Sequence, residues 1–275
     1  INEWPLRPSY GGETNEVKTA RLCTKRKRKT KTIIAMSKEE ELDDDIVCLD
    51  ESFFINDDYH ITDFTFGTHV LKLYCLQSSS TDFDLTGQLV WPGAVLLNDY
   101  LTKNADMLRG CSVIELGSGV GITGVLCSRF CREVVMTDHN DEVLKILKKN
   151  IKLQESSDDS MCCAELKVEK LEWGNSDQLN YLLQGHPEGF DLVLGADICF
   201  QQANVPLLFD TVERLLKDRD QSNCKFILAY VSRAKVMDAM VIDEATRHGL
   251  RINEVPGTRR IVKNLEGVIF EIRTN

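Results

Sequence analysis

Residues 113–124, VIELGSGVGITG, place four glycines within twelve residues, directly behind an apolar run. The apolar run reads as a buried strand. The glycines supply backbone conformations and close approaches that a Cβ would forbid. A strand that runs into such a turn and then a helix is the opening unit of a doubly wound α/β sheet. Ligands of these sheets sit beyond the carboxyl ends of the strands, near the point where the strand order reverses. Gly119, Gly121 and Gly124 fit the dinucleotide spacing G-x-G-x-x-G, but Glu115 lies two residues before the first glycine, Gly117.

The chain downstream of residue 111 keeps the same alternation. Strands are predicted in SVIEL, EVVMTD, CAELKVEKLEW, FDLVLGAD, CKFILAYV, LRINEVP and GVIFEIRT. Helices are predicted in ITGVLCSRF, DEVLKILKKNIKL, VPLLFDTVERLLKD and KVMDAMVIDEATRHG, the last ended by Gly249. This order predicts a Rossmann-like, mostly parallel seven-stranded sheet with helices on both faces. The two closely spaced final strands predict an antiparallel addition at one edge. Upstream, Pro92 suits the first turn of a helix over VWPGAVLLNDYL. HITDFTFGTHVLKLYC alternates as half-buried strands do, and SSSTD reads as a loop.

The first fifty residues differ in kind. KRKRKTK at residues 25–31 is followed by the acidic SKEEELDDDIVCLDE at 37–51. Residues 1–52 are therefore expected to form a charged, mobile extension, 53–105 a strand and helix lead-in, and 106–275 the core. The basic run is a candidate nuclear-import signal or contact for an acidic partner, or simply a solvated charge run. A net charge of −10 over 275 residues argues against general nucleic-acid binding. Ten cysteines without C-x-x-C spacing point to reduced thiols and a cytoplasmic or nuclear protein. No membrane span, no signal peptide and no metal site are expected from the sequence, since the five histidines are scattered.

Asp138 closes the second core strand. A carboxylate there can accept hydrogen bonds from both hydroxyls of a ribose, which serves NAD and S-adenosylmethionine equally. Glu115 separates the two. It would repel a pyrophosphate and attract the sulfonium and ammonium of S-adenosylmethionine. A dehydrogenase would also need a hydride-transfer acid or base, and none stands out.

Four stretches carry a resemblance: GQLVWPGAVLLNDYL, VIELGSGVGITGV, LEWGN, and DLVLGADICF with its D-x-x-F at Asp197–Phe200. Over residues 87–273 the chain resembles the class I S-adenosylmethionine-dependent methyltransferases. Within them it resembles the family-16 protein methyltransferases, many of which modify lysine. The resemblance implies cofactor contacts at Trp91, Glu115, Gly117, Ser118, Gly119, Gly121, Asp138, His139, Trp173 and Ala196. It sets Trp173 against the adenine, with Asn140 as a further candidate for the same pocket. Asp197 is expected to orient the acceptor amine and Phe200 to wall its channel, with a helix cap after the fourth strand as the alternative role for Asp197. Tyr230 and Arg233, after the fifth strand, are weaker candidates for facing the substrate. The implied acceptor is a lysine on a protein, and the implied state a monomer. A small-molecule or nucleic-acid methyltransferase and a non-catalytic binding module stay as alternatives. The chain lacks the N/D-P-P-Y/F motif of many base and glutamine methylases and has ADICF in its place.

Overall fold

A computed structural model describes residues 59–76, 83–156, 164–217 and 224–275. The two charged blocks and the SSSTD loop lie outside the described residues. Those described belong to one compact unit, Glu51–Asn275.

Seven strands form one hydrogen-bonded path: β5 (Glu165–Lys170), β4 (Glu133–Asp138), β3 (Ser112–Leu116), β6 (Leu192–Ala196), β7 (Lys225–Val231), β10 (Leu265–Thr274) and β8 (Leu250–Glu254). The first five run parallel. β10 inserts antiparallel between β7 and β8, as the closely spaced final strands predict. The chain winds outward from β3 through β4 to β5, then returns to β6 on the other side of β3. The order therefore reverses between β3 and β6, and a ligand cleft is expected at their carboxyl ends.

Both faces of the sheet are covered, which is why its central strands read as nearly unbroken apolar runs. Alternate residues serve opposite cores. Val113, Val134, Leu192, Leu194 and Ile227 pack with α1 (Pro92–Lys103), α2 (Ile122–Cys127) and α3 (Asp141–Glu155). Ile114, Val135, Val193, Phe226 and Leu228 pack with α4 (Ser176–Gly185), α5 (Asn204–Lys217) and α6 (Lys235–Arg247). Helix α4 and the short strand β9 (Arg260–Val262) are additions to the elements expected from the sequence. α4 buries only Leu179 and Leu182, so its periodic signal is faint. Its start was nonetheless signalled by Asn175, whose side chain caps the Gln178 N–H at 3.1 Å. β9 meets β10 through Lys263 and Asn264, both at positive φ, as a two-residue hairpin turn demands.

The lead-in is a hairpin, β1 (Tyr59–Phe66) and β2 (His69–Leu76), paired from Tyr59↔Leu76 to Phe66↔His69. An unpaired strand edge needs partners for its backbone groups. On β2, Arg129 donates to the Val70 carbonyl at 3.0 Å, and α3 supplies further partners. Asn150 accepts from the Tyr74 N–H at 2.7 Å and donates to the Tyr74 carbonyl at 3.0 Å. One turn on, Gln154 donates to the Lys72 carbonyl at 2.7 Å. Asn150 also donates to the Val120 carbonyl at 2.9 Å, inside the glycine turn. One buried amide thus ties the hairpin, α3 and the turn together. Asn150→Ala is expected to lower the unfolding free energy by roughly 2–4 kcal/mol, since it leaves several buried backbone groups unpaired. A urea melt showing a loss below about 0.5 kcal/mol, an ordinary surface effect, would refute this.

Candidate active site

Three neighbouring strands, β4, β3 and β6, each bring a buried carboxylate to the carboxyl end of the sheet: Asp138, Glu115 and, one residue past β6, Asp197. Each accepts a hydrogen bond from a glycine N–H. Asp138 Oδ2 takes Gly119 at 3.2 Å. Glu115 Oε2 takes Gly124 at 3.0 Å. Asp197 Oδ2 takes Gly93 at 3.0 Å. Glycine suits these positions because the backbone comes so close. A Cβ on Gly93 would lie 2.7 Å from the Asp197 Cβ, and one on Gly119 would lie 2.8 Å from the Gly87 carbonyl oxygen. Gly119 also holds φ +54°, which L residues rarely adopt.

These bonds frame a cavity of about 320 Å³, within the range of small-molecule sites. Its lining includes every cofactor contact expected from the sequence except Gly121, and includes Asn140, Asp197 and Phe200 as well. Gly121 turns the other way. Its φ of +84° starts α2, and a Cβ there would meet Leu147 and Met136 in the core. Its place in the spacing fits helix packing, and it lies outside the cavity lining. The cavity is also lined by Glu172, which makes four carboxylates, and by no lysine or arginine.

Glu115 is the most confined of the four. Burial pushes its carboxyl up to about 7, with the Gly124 N–H among the hydrogen bonds that partly offset the shift. Asp138 holds more polar surroundings. Its Oδ1 accepts from the Asn140 N–H at 3.1 Å and lies 3.4 Å from the mostly exposed His139 Nδ1, whose pKa it raises. Asn140 itself caps α3, accepting from Glu142 and Val143. The Trp173 ring packs on Gly117, where a Cβ would lie 3.2 Å from its Cζ2. Phe200 and Leu207, each 42% exposed, form an apolar rim.

Asp197 has a different setting from the one its motif suggests. It holds φ +60°, a strained conformation for a residue with a side chain. No helix follows it before Asn204. It caps a helix all the same: Gly93 lies in the first turn of α1, 104 residues earlier in the chain. Its Oδ1 pairs with the Arg233 guanidinium, and the carboxylate side chain is 1% exposed. Arg233 in turn lies over the Trp91 ring, 5.5 Å from its centroid. Trp91 is fixed by an indole N–H donated to the Thr86 carbonyl at 2.6 Å. Tyr230 is turned away into a bond with Asp238 at 2.6 Å. Sequence reasoning missed Gly87 and Gly93 as parts of the site. The clue was present, since both flank the tryptophan in GQLVWPG.

A lysine methyltransferase family model matches residues 74–245. The chain belongs to that family. Protein N-lysine methyltransferase METTL21A from Mus musculus is 34% identical over 127 residues, covering 46% of this chain and 54% of that protein. Its Danio rerio counterpart is 33% identical over 155 residues, covering 56% and 64%. EEF1A lysine methyltransferase 3 from Xenopus tropicalis is 35% identical over 127 residues, covering 46% and 51%. The match thus spans between about half and two thirds of each relative's length.

The raised carboxyl of Glu115 has a consequence for stability. An unfolded glutamate ionises near its ordinary value of 4.5, whereas the folded one keeps its proton up to about 7. Its contribution to stability is therefore complete below pH 4.5 and is lost as pH rises through 7. Glu115→Gln keeps the acceptor for Gly124 and removes the buried charge. It is expected to stabilise the ligand-free protein by roughly 2–3 kcal/mol at pH 8 and to change little at pH 4. Melts of the two proteins at both pH values check this; an equal difference at each pH would contradict it.

Proposed function

We propose that this protein transfers a methyl group from S-adenosylmethionine to a lysine side chain of a protein. The observation that carries the proposal is the lining of the cavity, four carboxylates with no lysine or arginine, at the switch point of a family-matched sheet. A pyrophosphate would be repelled there. One of the first-turn N–H groups of α2, that of Gly124, is already taken by Glu115. A cationic ligand finds the opposite environment.

The donor set fits the proposed cofactor. Asp138 oxygens each accept one backbone bond and retain acceptor capacity for ribose hydroxyls. Trp173 offers an aromatic face for adenine. Glu115, ionised when a cation is near, opposes the positive end. The bound cofactor supplies an electrophilic methyl group on a positively charged sulfur. The protein's remaining work is alignment, because a displacement of this kind depends on holding nucleophile and methyl in line. Phe200 and Leu207 give the acceptor a largely apolar approach, which favours the neutral, nucleophilic form of an amine. Phe200 has no hydroxyl, so no proton passes through it. The lysine acceptor is supported by the relatives, which are lysine methyltransferases. A cytoplasmic or nuclear setting is supported by the six described cysteines, all free thiols.

Calorimetric titration with S-adenosylmethionine, S-adenosylhomocysteine and NAD tests the proposal. The first two are expected to bind and NAD not to; tight binding of NAD alone would overturn it. Asp138→Ala is expected to weaken the cofactor by roughly 1–3 kcal/mol through lost hydrogen bonds to a charged group. Affinity for S-adenosylmethionine is also expected to fall as pH drops below about 7, because Glu115 must shed its proton to meet the cation. A flat profile between pH 6 and pH 8 in wild type would remove Glu115 from the cofactor site.

A further inference from the structure

We infer that Arg233 occupies, from within the chain, the cation site that an acceptor side chain enters, and that it must leave before transfer. The inference rests on the proposed function for the identity of the acceptor, but the site itself is defined by geometry. Asp197 supplies a buried carboxylate and Trp91 an aromatic face, and the Arg233 guanidinium meets both. These are the two groups that recognise an alkylammonium: a charge partner and a ring for cation–π contact. Both also line the cavity in which the cofactor is proposed to lie.

Arg233 is held less firmly than the groups around it. It lies between β7 and α6, and its side chain is 29% exposed where that of Asp197 is 1% exposed. Its other bond is a 3.3 Å contact from Nη1 to the Val231 carbonyl. Asp197, by contrast, is fixed by the Gly93 N–H and by its own N–H, which donates to the Ala229 carbonyl at 2.9 Å. The carboxylate and ring form the permanent part of the site, and the guanidinium is the part able to swing out. With Arg233 in place, a buried carboxylate is never left unpaired before the acceptor arrives, a condition that would be costly. Once an alkylammonium replaces it, that group gives one proton to solvent and becomes the neutral amine. Transfer then forms the N–C bond as the C–S bond breaks, the electron pair stays on sulfur to give a neutral thioether, and the positive charge passes to the methylated ammonium beside Asp197.

The first test needs no cofactor. n-Butylammonium, the side chain of lysine without its backbone, is titrated into the cofactor-free protein and followed by nuclear magnetic resonance of the Trp91 indole. Arg233→Ala is expected to bind it about tenfold more tightly than wild type, the combined worth of a part-exposed ion pair and a cation–π contact. Adding Asp197→Asn to that variant is expected to abolish the gain. Equal binding by wild type and Arg233→Ala, or no binding by either, overturns the inference. The second test is Arg233→Lys, which keeps the ion pair and puts an amine in the site. Incubated with S-adenosylmethionine, it is expected to gain a methyl group at residue 233 by mass spectrometry. An unmodified Lys side chain in a variant that still binds the cofactor overturns the acceptor assignment. Failure of wild type itself to bind S-adenosylmethionine would instead sink the proposed function, while leaving the butylammonium result to judge the cation site.

Discussion

A carboxylate accepting a hydrogen bond from a glycine N–H occurs three times across three adjacent strand ends, and the cleft depends on it. Each bond joins a strand of the parallel sheet to backbone that must turn sharply: Asp138 to the glycine turn, Glu115 to the start of α2, Asp197 to the start of α1. Parallel strands end with their carbonyls and side chains pointing into one rim, so without such anchors that rim would be a set of loose loops. The bonds to charged acceptors are among the stronger ones available to a backbone N–H. They also fix where side chains can be absent. Gly93, Gly119 and Gly124 are required by the closeness of the carboxylates and their neighbours as much as by any ligand.

The same arrangement stores electrostatic tension. Several acids converge on a partly dry space with no lysine or arginine in the lining. Glu115 responds by holding its proton to about 7, and Asp197 by pairing with Arg233 from outside the lining. Both responses are ways of neutralising a carboxylate while no external cation is present. A site made this way is less stable when empty than one built from neutral groups, and it gains most from a ligand that brings positive charge. Instability of the empty cleft and preference for a cation are therefore one property.

Most of the sheet was legible in the sequence because its strands are buried on both faces and its helices carry wide apolar stripes. SVIEL and EVVMTD coincide with β3 and β4 to the residue. α4 and β9 were not legible, since one buries two side chains and the other is three residues long. Within the site, Glu115, Asp138 and the first two glycines of the turn could be placed from spacing and chemistry together. Gly121 could not be told from them, because the sequence does not show which face of the chain a glycine gives up. The partners of Asp197 were equally hidden. Gly93 is 104 residues away and Arg233 is 36, and no local pattern links them. Such pairings are set by topology: α1 and the loop after β7 converge on the end of β6 only once the sheet has formed.

Asp197 shows what this convergence costs and gains. A glycine at that position would adopt φ +60° without strain, and the strand would end there just as well. The carboxylate's reach to Gly93 and Arg233 is what a glycine would lose. The strained backbone aims one side chain at both a helix start and a cation, and each of those contacts supports the other. Holding Gly93 fixes Trp91, the residue two before it. A fixed Trp91 in turn presents its ring to the guanidinium that Asp197 pairs. This end of the cleft is in this sense built around a single left-handed residue, and its geometry depends on that backbone angle more than on the motif in which the residue is found.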